Sequence, residues 1–205
     1  MKAEIYVDYL EIHVSNQTRR ETKVHCSPTS AVEPAYAIPT VKFDPKRVTE
    51  AVKADLKNNI KEIKEFDQSH FDQIYDAALR SISRGRDAAT LFNAIIELNL
   101  PNMTKQRASQ ISISLNNKAT ALMNQNQQMS LDIKYAIWTY SGAPCQTNPK
   151  KPSAKDICQD VAHKAADGKR YEVAKGMLLN GRLTMPGREE GCKCVSRSVI
   201  PGLDP

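Results

Sequence analysis

The spacing of apolar residues changes along this chain, and each change marks an element. In residues 4–14 they alternate as Ile5, Val7 and Tyr9 before the phase slips to Leu10, Ile12 and Val14. Side chains two apart share one face of a strand, so the pattern predicts a strand with a bulge. Residues 15–45 lose the alternation and are punctuated by Pro28, Pro34, Pro39 and Pro45, which predicts an extended arm, either free in solvent or laid on another subunit. From Lys46 the period becomes helical. Val48, Val52, Leu56, Ile60 and Ile63 form one stripe, with lysines and glutamates on the other face. Asp67 is placed to cap a second helix with the stripe Phe71, Ile74, Tyr75, Ala78 and Ile82, ended by Gly85. Asp87 opens a third through Leu91, Phe92, Ile95 and Ile96. Thr104 opens a fourth through Ala108, Ile111, Leu115, Ala119 and Leu122.

The end of the fourth helix is crowded with amides: Asn116, Asn117, Asn124, Gln125, Asn126, Gln127 and Gln128. Helical phasing puts Asn117, Asn124 and Gln128 on one side, which reads either as a solvated flank or as a polar surface bonded to a partner. Residues 133–140, IKYAIWTY, return to β-branched and aromatic character and predict a strand anchored in a core by Trp138, the single tryptophan. Ser141-Gly142-Ala143-Pro144-Cys145 turns that strand into a loop rich in Lys and Pro. A short helix ending near Ala166, a hairpin across Asn180-Gly181 and a last strand through Cys194 and Val199 complete the pattern.

The predicted fold is therefore α+β in three parts. Residues 1–45 are an N-terminal strand and extended arm, 46–130 a helical module of four helices, and 131–205 a small mixed α/β module with a short antiparallel sheet.

Composition narrows the function classes. At 40% hydrophobic and 25% charged residues the chain can bury a core, and it has no apolar run of about eighteen residues to span a membrane. The opening MKAEIYVDYLEIHV carries acidic residues where an export signal needs an unbroken apolar stretch, so a cytosolic start is expected. Five cysteines, an odd number, agree with a reducing compartment. The net charge of +6 is concentrated late: residues 146–197 hold eleven Lys/Arg against six Asp/Glu. Lys150, Lys151, Lys155, Lys169 and Arg170 are candidates for contact with nucleic acid, against the plainer reading of a solvated lysine-rich face without aromatics for base stacking.

Residues with narrow chemical uses gather in the C-terminal part. In a strand the sulfurs of Cys192-x-Cys194 would lie side by side. Two thiolates and the imidazole of His163 are raw material for a tetrahedral zinc site, with the fourth ligand from Cys145 or Cys158. The spacing matches no standard zinc pattern, and the same residues also read as buried free thiols packing as small hydrophobes. A Cys192–Cys194 disulfide would strain its short loop. His163 and Asp167, four apart, could pair as imidazole and carboxylate. His13, His25 and His70 are isolated and receive no role.

The order LNNKATALMNQNQQMSLDIKYAIWTYSG, HKAADGKRYEVAKGM, MPGREEGCKCVSRSVIPG resembles the phage Mu F-like head-morphogenesis family, the minor capsid proteins of tailed phages. The resemblance covers residues 46–202. It rests on Asn117, on the strand end Trp138, Ser141, Gly142, on the turn His163, Asp167, Gly168, and on the ending Pro186, Gly187, Cys192, Cys194. Where the family commonly has Arg-Asp-Gln ahead of the Asn-Lys pair, this chain has Ser114-Leu115-Asn116. The family's shorter loop before the histidine is here the long stretch 145–162. The resemblance implies a virion component assembled in the host cytoplasm with the portal protein and other capsid proteins, linked in some relatives to DNA packaging or ejection. It implies no small-molecule substrate. A DNA-binding accessory of the head and a toxin-like effector enzyme are the alternatives. The single histidine of this region, with no triad signature, argues against catalysis.

Overall fold

In the computed structural model, residues 43–200 and Gly202 are described. The strand expected at 4–14 and nearly all of the arm lie outside them. A 3-10 turn at Pro45–Arg47, capped by the Asp44 carboxylate, leads into α1 (Glu50–Lys61), where the Thr49 hydroxyl accepts from the Val52 N–H. The stripe then does as its spacing requires, burying Val52, Leu56 and Ile60. α2 (Phe71–Ser83) buries Ile74, Ala77, Ala78 and Ile82. Asp67 caps a 3-10 turn at Gln68–His70 that feeds α2, rather than α2 itself. Gly85 ends the segment with φ 81, a conformation that costs glycine little. α3 (Ala88–Glu97) is capped by Asp87, which accepts from the Thr90 N–H, and α4 (Lys105–Ser130) by Thr104. Their stripes meet in one core with Leu91, Ile95, Ala108, Ile111, Leu115 and Ala119. Each large apolar side chain buried there contributes about 1.5–3 kcal/mol.

The expected α+β class is what the described residues show. β1 (Tyr135–Thr139) is the central strand of a three-stranded antiparallel sheet in the order β2-β1-β5, with β2 (Arg170–Glu172) and β5 (Val195–Ser198) on its two sides. Ala136 stands opposite Tyr171, and Trp138 opposite Ser196. β3 (Met177–Leu179) and β4 (Arg182–Thr184) form the hairpin read at Asn180-Gly181, both residues having positive φ as a primed turn demands. α5 (Ala154–Ala165) connects β1 to β2 and starts with a capping box between Ser153 and Asp156. One boundary differs from the sequence reading. The last strand begins at Val195, so Cys192 and Cys194 lie in the irregular segment just before it.

The amide-rich flank of α4 is neither a solvated face nor a free docking surface, because much of it bonds to this chain. Asn117 Nδ2 donates to the Cys192 carbonyl at 3.2 Å, and Gln125 Nε2 to the Val173 carbonyl at 3.0 Å. Gln128 Nε2 reaches the hydroxyls of Ser196 and Ser198, both at 3.0 Å. Asn124 accepts from the Arg47 guanidinium, and Asn116 is buried, its amide donating to the Ser112 carbonyl. Two arginines add to the junction. Arg188, just before the cysteine pair, forms a two-pronged ion pair with Asp55 of α1, 2.7 Å on each arm. Arg107 of α4 bridges Glu65 and Glu190. No helix among the described residues is long and apolar enough to cross a membrane.

Candidate metal centre

The second core, on the sheet side, is built around sulfur. Ala136, Trp138, Tyr171 and Val173 pack with Cys145, Cys192 and Cys194. His163 is fully buried against them, its ring 5.0 Å from that of Trp138. The three Sγ atoms and one His163 ring nitrogen all lie within 4.8 Å of one another. Cys145 and Cys194 sulfurs are 3.5 Å apart, and Cys194 Sγ is 3.9 Å from His163 Nδ1. A tetrahedron with zinc–sulfur bonds of about 2.3 Å has edges of about 3.8 Å, so the group needs little adjustment to hold one ion.

Each ligand is placed by a separate device. α5 turns one face, Asp156, Gln159, Asp160 and His163, toward the loop after β1, and its polar side chains bind the backbone of that loop. Asp160 accepts from the Cys145 N–H at 2.6 Å, Gln159 donates to the Cys145 carbonyl at 3.1 Å, and Asp156 accepts from the Thr147 N–H at 3.0 Å. Cys145 is held from both sides of its peptide. Gly191, with φ 75, lets the second loop pass close by: a Cβ there would lie 2.5 Å from the Gln146 carbonyl carbon. Backbone N–H groups then aim at the sulfurs, Gly187 at Cys192 over 3.2 Å and Lys193 at Cys145 over 3.4 Å. Such donors favour thiolates, the form that binds metal.

His163 is oriented by Glu189. Its Nε2 lies 2.6 Å from Glu189 Oε2, which leaves Nδ1 facing the sulfurs. A carboxylate behind a ligating imidazole fixes its tautomer and raises its basicity. The electrostatics of the metal-free cluster follow. Burial pulls His163 down, but hydrogen bonds to Cys145, Cys194 and Glu189 outweigh it and hold the imidazole up at about 11. Hydrogen bonds from the neighbouring thiols and His163 push Cys145 well below the usual thiol range, whereas Cys192 is pushed up. The shifts favour positive charge on the imidazole and negative charge on the Cys145 sulfur, with Glu189 lowered by its bond to His163. An ion would replace those protons. Four protein ligands close the tetrahedron and leave no position for water.

Cys158, one of the two candidates for the fourth ligand, stays outside. It is exposed on α5, and Cys145 takes that place. Asp167 does not pair with His163. Its carboxylate accepts from the Tyr140 N–H at 2.8 Å, while Gly168 N–H donates to the Trp138 carbonyl and Trp138 N–H to the Lys169 carbonyl. The Asp167-Gly168 turn therefore clasps the strand end that Trp138, Ser141 and Gly142 mark. Gly187, next to Pro186, packs on Ala121 of α4, close to Asn117. Lys150, Lys151, Lys155, Lys169 and Arg170 are exposed, Arg170 lying over the Tyr135 ring at 4.0 Å. Glu189, Asp156, Gln159 and Asp160 escaped the sequence reading. For Glu189 the available signal was a carboxylate between a Pro-Gly turn and a cysteine pair.

Comparison with family models, with curated proteins and with solved structures gave no match to this chain.

Proposed function

We propose that this chain is a structural protein of the head of a tailed phage, a minor capsid component of the Mu F-like kind, whose sheet-bearing part is held together by a zinc ion on Cys145, His163, Cys192 and Cys194. The observation that carries the reading is the convergence of its motifs: Trp138, His163, Cys192 and Cys194, far apart in sequence, share one buried core. A motif set that builds a closed four-ligand centre suits a folding and docking role rather than catalysis, since the ion offers substrate no vacant position. The partners proposed are the portal protein and other capsid proteins, with packaged DNA as a second contact through the exposed lysines.

Two measurements test this. Metal analysis of the purified chain should give one zinc per chain, and cobalt substitution should give thiolate charge-transfer absorption and quench Trp138 fluorescence. A chain purified under reducing conditions without chelator that contains no zinc, and takes up none when it is added, refutes the centre. Co-purification of the tagged chain with the portal protein of the same phage, at low and high salt and with nuclease, tests the role. A salt-resistant, nuclease-insensitive complex is expected. A complex abolished by nuclease and by salt would instead make DNA the primary partner.

A further inference from the structure

We propose that the same cluster is a site of reversible covalent modification, in which Cys145 and Cys194 close a disulfide when no metal is bound. The inference rests on the metal-centre reading for the state with which the disulfide alternates. The two sulfurs stand 3.5 Å apart on segments 49 residues distant in sequence. A disulfide needs about 2.05 Å, so the loops must approach by about 1.5 Å. Other partners are less well placed. Cys192 and Cys194 enclose a single residue, a loop that strains the bond geometry. Cys158 is exposed on α5 and outside the cluster.

The chemistry needs a two-electron oxidant, for which hydrogen peroxide serves. The Cys145 sulfur attacks one peroxide oxygen, the O–O bond breaks, and the departing hydroxide takes a proton to leave as water; the sulfur becomes a sulfenic acid. The Cys194 sulfur then attacks the Cys145 sulfur, the S–O bond breaks, and the hydroxyl leaves as a second water with the Cys194 proton. In total two thiols and one peroxide give one disulfide and two waters. A bound ion uses both sulfurs as ligands, so metal and disulfide exclude each other at this centre.

The tryptic map decides the pairing without ambiguity, because Lys193 separates Cys192 from Cys194. Cleavage at Lys and Arg puts Cys26 in fragment 24–42, Cys145 in 135–150, Cys158 in 156–164, Cys192 in 189–193 and Cys194 in 194–197. The full chain would be stripped with chelator under reductant, freed of both, treated with one equivalent of hydrogen peroxide and digested without reduction. The expected product is 135–150 joined to 194–197, lost on adding dithiothreitol and suppressed when zinc is present during oxidation. Cys158→Ser should leave the product unchanged, and Cys194→Ser should remove it. Absence of any cross-link, or a cross-link to 189–193, to 156–164, to 24–42 or between chains, overturns the proposal. Zinc content is measured on the same preparation before stripping. A chain that holds zinc yet forms no disulfide defeats only this inference, whereas a chain that forms the disulfide without ever holding zinc defeats only the metal centre.

Discussion

Replacing Asp156 by alanine removes the residue that joins the start of α5 to the loop carrying Cys145. Asp156 is almost wholly buried, and its two oxygens take the N–H and hydroxyl of Ser153, at 2.9 and 2.7 Å, and the N–H and hydroxyl of Thr147, at 3.0 and 2.9 Å. Burial alone would raise its carboxyl, but these donors win and hold it at about 2, against an ordinary 3.8. At about 1.4 kcal/mol per unit, that difference corresponds to roughly 2 kcal/mol of folding free energy. The sign is that of a depressed carboxylate: the stabilisation is complete above the unfolded value and disappears as pH falls through the folded one. Asp156→Ala should therefore cost about 2 kcal/mol at pH 7, lowering the melting temperature by about 4–8 °C for a chain of this size. The gap between variant and parent should narrow as pH falls from 5 toward 2. Circular dichroism melts across that range measure both effects. A variant that melts with the parent at pH 7, or a gap that stays constant with pH, would refute the account of how Cys145 is held.

Other expectations are narrower. Arg188→Ala and Asp55→Ala should each destabilise by about 2 kcal/mol, with a coupling of about 1–2 kcal/mol in a double-mutant cycle read by urea unfolding; additive effects would show that the ion pair contributes no joint stabilisation. Gly191→Ala places a Cβ against the Gln146 backbone at positive φ, and should cost more than about 2 kcal/mol and reduce zinc content together, as metal analysis and thermal melts would report. Glu189→Gln should weaken zinc binding by about 10–100-fold in chelator competition, while leaving the zinc-loaded fold intact by circular dichroism. Cys158→Ser should change stability by no more than about 0.5 kcal/mol and leave zinc stoichiometry unaltered, whereas Cys145→Ser should lower both.

The helices were legible because their partners are other helices: a stripe repeating at Val52, Leu56 and Ile60 states both the element and the face it buries. The hairpin was legible for a similar reason, since Asn180-Gly181 encodes its own turn. The metal cluster was only half legible. Residue type gave Cys192, Cys194 and His163, but the choice between Cys145 and Cys158 depends on which face of α5 turns inward, and no periodic apolar signal reports it. That face is polar. Asp156, Gln159 and Asp160 look like surface residues until the loop whose backbone they bind is in place. The amides of α4 misled in the same way, because Asn117, Gln125 and Gln128 bond to backbone and hydroxyl groups more than forty positions away.

The separation of the cysteines along the chain also orders events in time. The helical core draws its contacts from neighbouring segments, so it can form while later residues are still being synthesised. Cys145 has no such option, because its closest sulfur partner lies 49 residues further on. At about 5–20 residues per second, several seconds pass between the emergence of the two. During that interval Cys145 is on the nascent chain without the sulfurs of Cys192 and Cys194. The centre cannot close before Cys194 has emerged, and α4, whose Asn117 bonds to the Cys192 carbonyl, lies beside it when it does.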